Sequence, residues 1–131
     1  MLLQLKDWGI ISKDDLNRII RLYQKLSAYV HRLHPKFSEV GRRIEAEKDW
    51  LVLEPVPEVL CGCLRDFIDL CGWLLYITAR VFRVDLVEKK YQNRLNKRDL
   101  RRLIKDARKF AEDYYSWQHA INEIESILKT R

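Results

Sequence analysis

Four glycines and three prolines in 131 residues are too few for a collagen-like, low-complexity or loop-rich chain. The three cysteines, Cys61, Cys63 and Cys71, cannot close an even disulfide framework. They fall on what reads as one helix, where Cys61 and Cys63 point about 200° apart. A reduced, intracellular chain is expected. No apolar run approaches the ~20 residues that span a bilayer. The longest uncharged stretch is Leu70 to Ala79, ten residues between Asp69 and Arg80, so no membrane span is predicted. The start breaks its apolar run with Lys6 and Asp7 and has no small-residue cleavage site, which predicts no secretory signal. Catalytic and cofactor signatures are missing as well. There is no C-x2-C or H-E-x-x-H spacing, no P-loop, no dinucleotide fingerprint and no G-x-S-x-G. No metal, no cofactor and no enzymatic activity are expected. Glu112, Ser116 and His119 share one predicted helix face, but nothing supplies an oxyanion hole.

What the chain does have is apolar and charged residues in quantity, 47% and 34%. That balance excludes disorder and supports a core without staples. The apolar residues recur at helical spacing, and the predicted fold is all-α, an elongated bundle of about four main helices. Residues 1–11 are expected as an apolar docking arm, broken at Gly9, ahead of a single helical-bundle domain over 12–131.

Ser12 and Asp15 form a capping-box-like pair, with Ile11 and Leu16 at the staple positions. The helix that follows carries Leu16, Ile19, Ile20, Tyr23, Leu26, Val30 and Leu33 on one face and ends before Pro35. Ser38 predicts a shorter helix over 39–50, and Pro55 and Pro57 predict an extended connector after it. Pro57 suits the first turn of a third helix, expected to run to about Tyr91. Its middle is apolar nearly all round, so other helices or a neighbouring subunit should surround it. Gly62 and Gly72 there cost ~1 kcal/mol each in helix propensity and imply close approach of another backbone. Asn96 with Asp99, and Leu95 with Leu100, repeat the cap and staple signals. The stripe from Leu100 through Leu103, Ile104, Ala107, Phe110, Ala111, Tyr114, Trp117, Ile121 and Ile124 to Leu128 predicts one uninterrupted helix. Over 97–129 it would reach roughly 50 Å. Trp8, Trp50 and Trp73 read as packing anchors. Of the aromatic run Tyr114, Tyr115 and Trp117, only Tyr115 should face outward.

The net charge of +6 is a small remainder. Residues 16–43 carry +6, residues 44–79 carry −5 and residues 80–109 carry +8, with −1 and −2 at the two ends. Arg18, Arg21, Lys25 and Arg32 form a stripe on the first long helix, followed by Arg42 and Arg43. Arg94, Arg98, Arg101, Lys105 and Arg108 form another on the last, flanked by Arg102 and Lys109. Like charges at these spacings repel and destabilise a helix. An anion in line with them relieves that, and the phosphate backbone of a nucleic acid matches a linear stripe of Arg. These thirteen bases are the candidate nucleic-acid contacts. A solvated face or an acidic protein partner is the competing interpretation. The acidic block could instead dock on a basic stripe of a second copy.

Striped bases on two helices, an apolar middle helix, an acidic block able to meet a neighbour and no active site together resemble the nucleocapsid coat proteins of filamentous archaeal DNA viruses. The resemblance covers the whole chain in architecture and rests on no sequence motif. It implies a structural protein that binds nucleic-acid backbone, DNA in preference, without reading sequence, and that assembles with copies of itself or a paralogous chain. The virion would then be its location. Residues 1–11 depart from that pattern, being apolar with one Lys where such proteins often carry a basic arm. The alternatives are a helical protein-interaction module, a subunit of a larger complex, and, remotely, a HEPN-like nuclease. HEPN nucleases carry an Arg separated from a following His by four to six residues. Here those positions hold Gln24, Lys25 and Leu26, then Ser27, Ala28 and Tyr29, then Glu112, Asp113 and Tyr114.

Overall fold

The computed structural model describes residues 1–30, 57–94 and 96–129. The helix expected over 39–50, the connector after it, Trp50, and the staple residue Leu95 lie outside the described residues. The fold is all-α. In chain order the described helices are α1 (Leu2–Asp7), α2 (Lys13–Val30), α3 (Pro57–Val81), α4 (Arg83–Val87), α5 (Lys89–Gln92), α6 (Lys97–Asp113) and α7 (Tyr115–Lys129). The chain divides into two compact units: Met1–Leu16 with Asp69–Arg131, and Asn17–Ile68.

In the first unit, local chemistry sets the helix ends. Gly9 adopts φ +70°, and its N–H and that of Ile10 bond to the carbonyls of Lys6 and Leu5. This is the Schellman arrangement that a glycine after a C-cap permits. Arg80 Nη2 donates to the Gly9 carbonyl at 3.1 Å. Ser12 Oγ accepts from the Asp15 N–H at 3.1 Å and caps α2 as expected. Ile11 and Leu16 beside it are buried. Trp8 is 69% exposed and anchors nothing, in contrast to its expected role. Gly9 ends the helix just past Trp8, and the chain turns inward only at Ile11.

The third predicted helix stops at Val81 rather than near Tyr91. Thr78 Oγ1 bonds back to the Leu74 carbonyl, a contact that loosens the helical ladder. Beyond Phe82 the chain makes two short turns around an extended Glu88. The buried Gln92 side chain closes them by donating to the Leu86 carbonyl.

The largest departure from expectation is at Tyr114, which has φ −128° and ψ 116° and splits the predicted 97–129 helix into α6 and α7. The two halves fold back on each other as an antiparallel hairpin. Gln118 Nε2 donates to the Ala111 carbonyl, satisfying an acceptor that the break leaves open. The rings of Phe110 and Trp117 meet 5.4 Å apart across the corner. A straight 33-residue helix can cover its apolar stripe only with a partner. Folding back lets each half cover the other, and Ile104, Ala120, Ile121 and Ile127 become buried. The stripe is also narrower than expected, since Leu103 is 63% exposed and Phe110 is exposed. Tyr115 is exposed, as its place off the stripe suggests.

Between α3 and α7 the core is built on Trp73. Its ring lies 5.9 Å from that of Tyr76 and 5.8 Å from that of His119. His119 Nε2 is buried without a hydrogen bond and sits 3.8 Å from Asp15 Oδ1. Burial pushes the Tyr76 hydroxyl above its ordinary pKa, Arg80 pulls part of that back, and Asp15 and Glu123 raise it further. Gly72 faces α7, and a Cβ there would clash with Ser116 Oγ and meet Trp117 Cδ1 at 2.8 Å. Ser116 is fully buried and donates to Asp69 Oδ1.

In the second unit, Ile19 and Leu22 are buried, whereas Ile20 and Tyr23, expected on the same inward face, are exposed. Stepping from Leu16 by threes turns the buried face past Tyr23 onto Leu22. Burial raises the Tyr29 pKa, as does the neighbouring Asp66 that accepts its hydrogen bond. Gly62 faces the tip of Tyr29, with 2.8 Å from an added Cβ to the hydroxyl.

These two glycines predict opposite outcomes. Gly62→Ala should be neutral or stabilising by up to ~1 kcal/mol, because helix propensity improves and a flexible ring tip can yield. Gly72→Ala should lose about 1–3 kcal/mol through overpacking against Ser116 and Trp117. Urea midpoints of the two variants compare them directly, and equal shifts would contradict the α3–α7 packing.

Candidate nucleic-acid interface

The candidate interface rests on α6. Asn96 Oδ1 accepts from the Asp99 N–H at 3.2 Å and Asn96 Nδ2 donates to Asp99 Oδ2, so the cap expected from sequence forms. From that fixed start the helical repeat sets Arg98, Arg101, Lys105 and Arg108 one above the other, with Arg102 and Lys109 alongside. All six are exposed. Ile104 faces inward and is buried, holding the helix against α7.

The hairpin divides the bases of residues 80–109 into two groups. Arg80 and Arg83 both reach Glu123 on α7, at 3.7 and 2.5 Å, and Arg83 also donates to Ser126 Oγ at 3.0 Å. Arg108 pairs with Glu125. Lys90 meets Glu88 at 3.5 Å and lies 4.8 Å over the Tyr91 ring. Among the described residues, Arg94, Arg98, Arg101, Arg102, Lys105 and Lys109 make no ion pair with an acid. Glu123 and Glu125 are therefore taken up by Arg80, Arg83 and Arg108, while the outer face of α6, which also carries exposed Asp106, keeps an excess of positive charge.

Between α6 and α7, Arg101, Ile104, Lys105, Arg108, Glu125, Leu128 and Lys129 line an open groove. Lys129 is not among the sequence candidates. In a straight 97–129 helix it would lie roughly 36 Å from Lys105. The fold-back brings it to the same groove. Its only signal in the sequence is its place in the last helical turn, where a base also complements the helix dipole.

Arg18, Arg21 and Lys25 occupy exposed positions on α2 in the second unit. Arg32, Arg42 and Arg43 lie outside the described residues. Glu112 stands on α6, while Ser116 and His119 stand on α7 beyond the break, so the three no longer share one helix. Ser116 binds Asp69 instead. No group of three or more His, Cys, Asp or Glu side chains suited to a metal occurs among the described residues. No described helix is long and apolar enough to cross a membrane. No protein-family model, curated protein or solved structure matches the chain.

Proposed function

We propose that this chain is a structural nucleic-acid-binding protein of the nucleocapsid type, holding phosphate backbone, DNA in preference, on the basic face of α6 and assembling with copies of itself. The observation that carries the binding half is the exposed run Arg98, Arg101, Arg102, Lys105 and Lys109, unpaired with acids among the described residues. Five like charges held on one helix repel one another, and a row of phosphates both relieves that repulsion and releases its own counterions. The α6–α7 groove adds Lys129 beside Arg101 and Lys105. None of this reads base edges, so recognition goes through backbone and shape.

Contact with ~4–5 phosphates predicts a slope near −4 in log affinity against log salt, an affinity loss of about 250-fold between 50 and 200 mM. Fluorescence anisotropy with a labelled duplex checks it, using protein stripped of nucleic acid by its 260/280 nm absorbance ratio. An affinity that is flat across that range rules the reading out. The exposed apolar face of α3 favours a second reading, a helical protein-interaction module, which predicts no salt-dependent duplex binding at all.

A further inference from the structure

The α3 helix carries a second pattern that its own fold does not use. Leu60, Leu64, Phe67, Cys71, Leu74, Thr78 and Val81 follow one another at alternating steps of four and three. That is a heptad seam sustained over the whole helix. Leu60, Leu64, Phe67, Leu74 and Val81 on this seam are each 45–56% exposed. Leu75 beside the seam, and Phe82 and Val84 just past its end, are exposed as well. The positions flanking the seam are Cys61, Cys63, Ile68, Leu70, Leu75 and Ile77, none of them charged. Every charged residue of α3, Glu58, Arg65, Asp66, Asp69 and Arg80, falls on the remaining positions of the heptad. Trp73, Tyr76, Ala79 and both glycines fall there too and make contacts within the chain, while Arg65 stays exposed.

We infer that α3 pairs with α3 of a second copy of this chain along this seam, forming a two-fold dimer. The period selects the partner. A 3.5-residue repeat is the geometry one helix imposes on another, whereas a membrane surface selects a broad apolar arc with basic flanks. The missing flanking charge means that no acidic or basic partner is specified. Among the described helices, the one that offers a matching charge-free seam is α3 itself, and a two-fold axis sets identical patches against each other. The area agrees. The exposed parts of these eight side chains amount to on the order of 800 Å², about one partner's share of a standard-size interface. Monomeric proteins seldom leave so large an apolar patch open. This takes up the assembly half of the proposed function and does not depend on phosphate binding.

The test is the native mass of the nuclease-treated full chain in ~1 M salt, where phosphate-bridged assemblies are screened apart. Sedimentation velocity from about 1 to 100 µM should show twice 15.8 kDa. Leu64→Glu with Leu74→Glu should weaken association by about 100-fold or more, with unchanged far-ultraviolet circular dichroism, because each carboxylate would be buried unpaired. Leu103→Glu, which alters an equally exposed leucine on α6, should leave the dimer intact, as should Arg101→Glu with Lys105→Glu. Phe67→Ser gives a milder seam variant that avoids new charge. A wild-type chain that stays monomeric at ~100 µM overturns the inference, with or without vesicle binding. So does a dimer that persists in both seam variants, or one that Leu103→Glu dissociates equally.

Discussion

Replacing Trp73 with Ala should destabilise the protein by about 3–5 kcal/mol, the cost of emptying a buried aromatic site. Trp73 is 2% exposed, and its ring sits among those of Tyr76, Tyr115 and His119. It packs between α3 and α7, so its removal leaves a cavity that two helices on separate chain segments must collapse to fill. Set against a total stability of ~5–15 kcal/mol for a domain, that is a large share. A fall in Tm of roughly 10–20 °C is expected. Trp8→Ala is the matched control, because the same residue type stands exposed there and should shift stability by less than ~0.5 kcal/mol. Thermal melts of the two variants decide the matter. Equal shifts would mean that Trp73 is not the centre of this core.

The double charge reversal Arg101→Glu with Lys105→Glu should lower duplex affinity about 100-fold and reduce the salt slope by about two units. Both residues line the α6–α7 groove, and neither is tied to an acid among the described residues. The substitution therefore removes two phosphate contacts and adds two repulsive charges without breaking an internal pair. Folding should be unaffected, and easing the like-charge stripe could even raise the melting temperature slightly. The companion variant Arg83→Glu changes the net charge in the same sense but strikes the internal bond to Glu123. It should cost stability and leave the salt slope almost unchanged. If both variants lower affinity in proportion to charge alone, binding follows the net charge of +6 rather than the face of α6.

Several elements were legible in the sequence because the forces that make them act within one helical turn. Ser12 and Asn96 cap their helices through N–H groups three residues on. Gly9 ends α1 because it alone takes a positive φ cheaply. Pro57 begins α3, where a missing N–H leaves no gap. The inward stripes were legible as stripes, but their margins were not. Tyr23, Leu103 and Phe110 lie at the edges of apolar faces, and whether an edge residue is covered depends on the width of the neighbouring helix.

The break at Tyr114 had no local sign. Neither Gly nor Pro stands near it, and a continuous helix satisfies the same periodicity. What decides between one helix and two is whether the stripe finds cover in its own second half.

The sequence alone determined that the chain is helical, where its capped helices start, and that residues 80–109 hold a large excess of positive charge. Tertiary structure decided which of those charges are paired within the chain. Arg108 meets Glu125 across 17 residues of chain and Arg83 meets Glu123 across 40. Caps and periodicity reach only three or four residues, so no local reading could have matched those pairs. The fold-back at Tyr114 neutralised one group of bases, kept another on the outer face of α6, and carried Lys129 to join it.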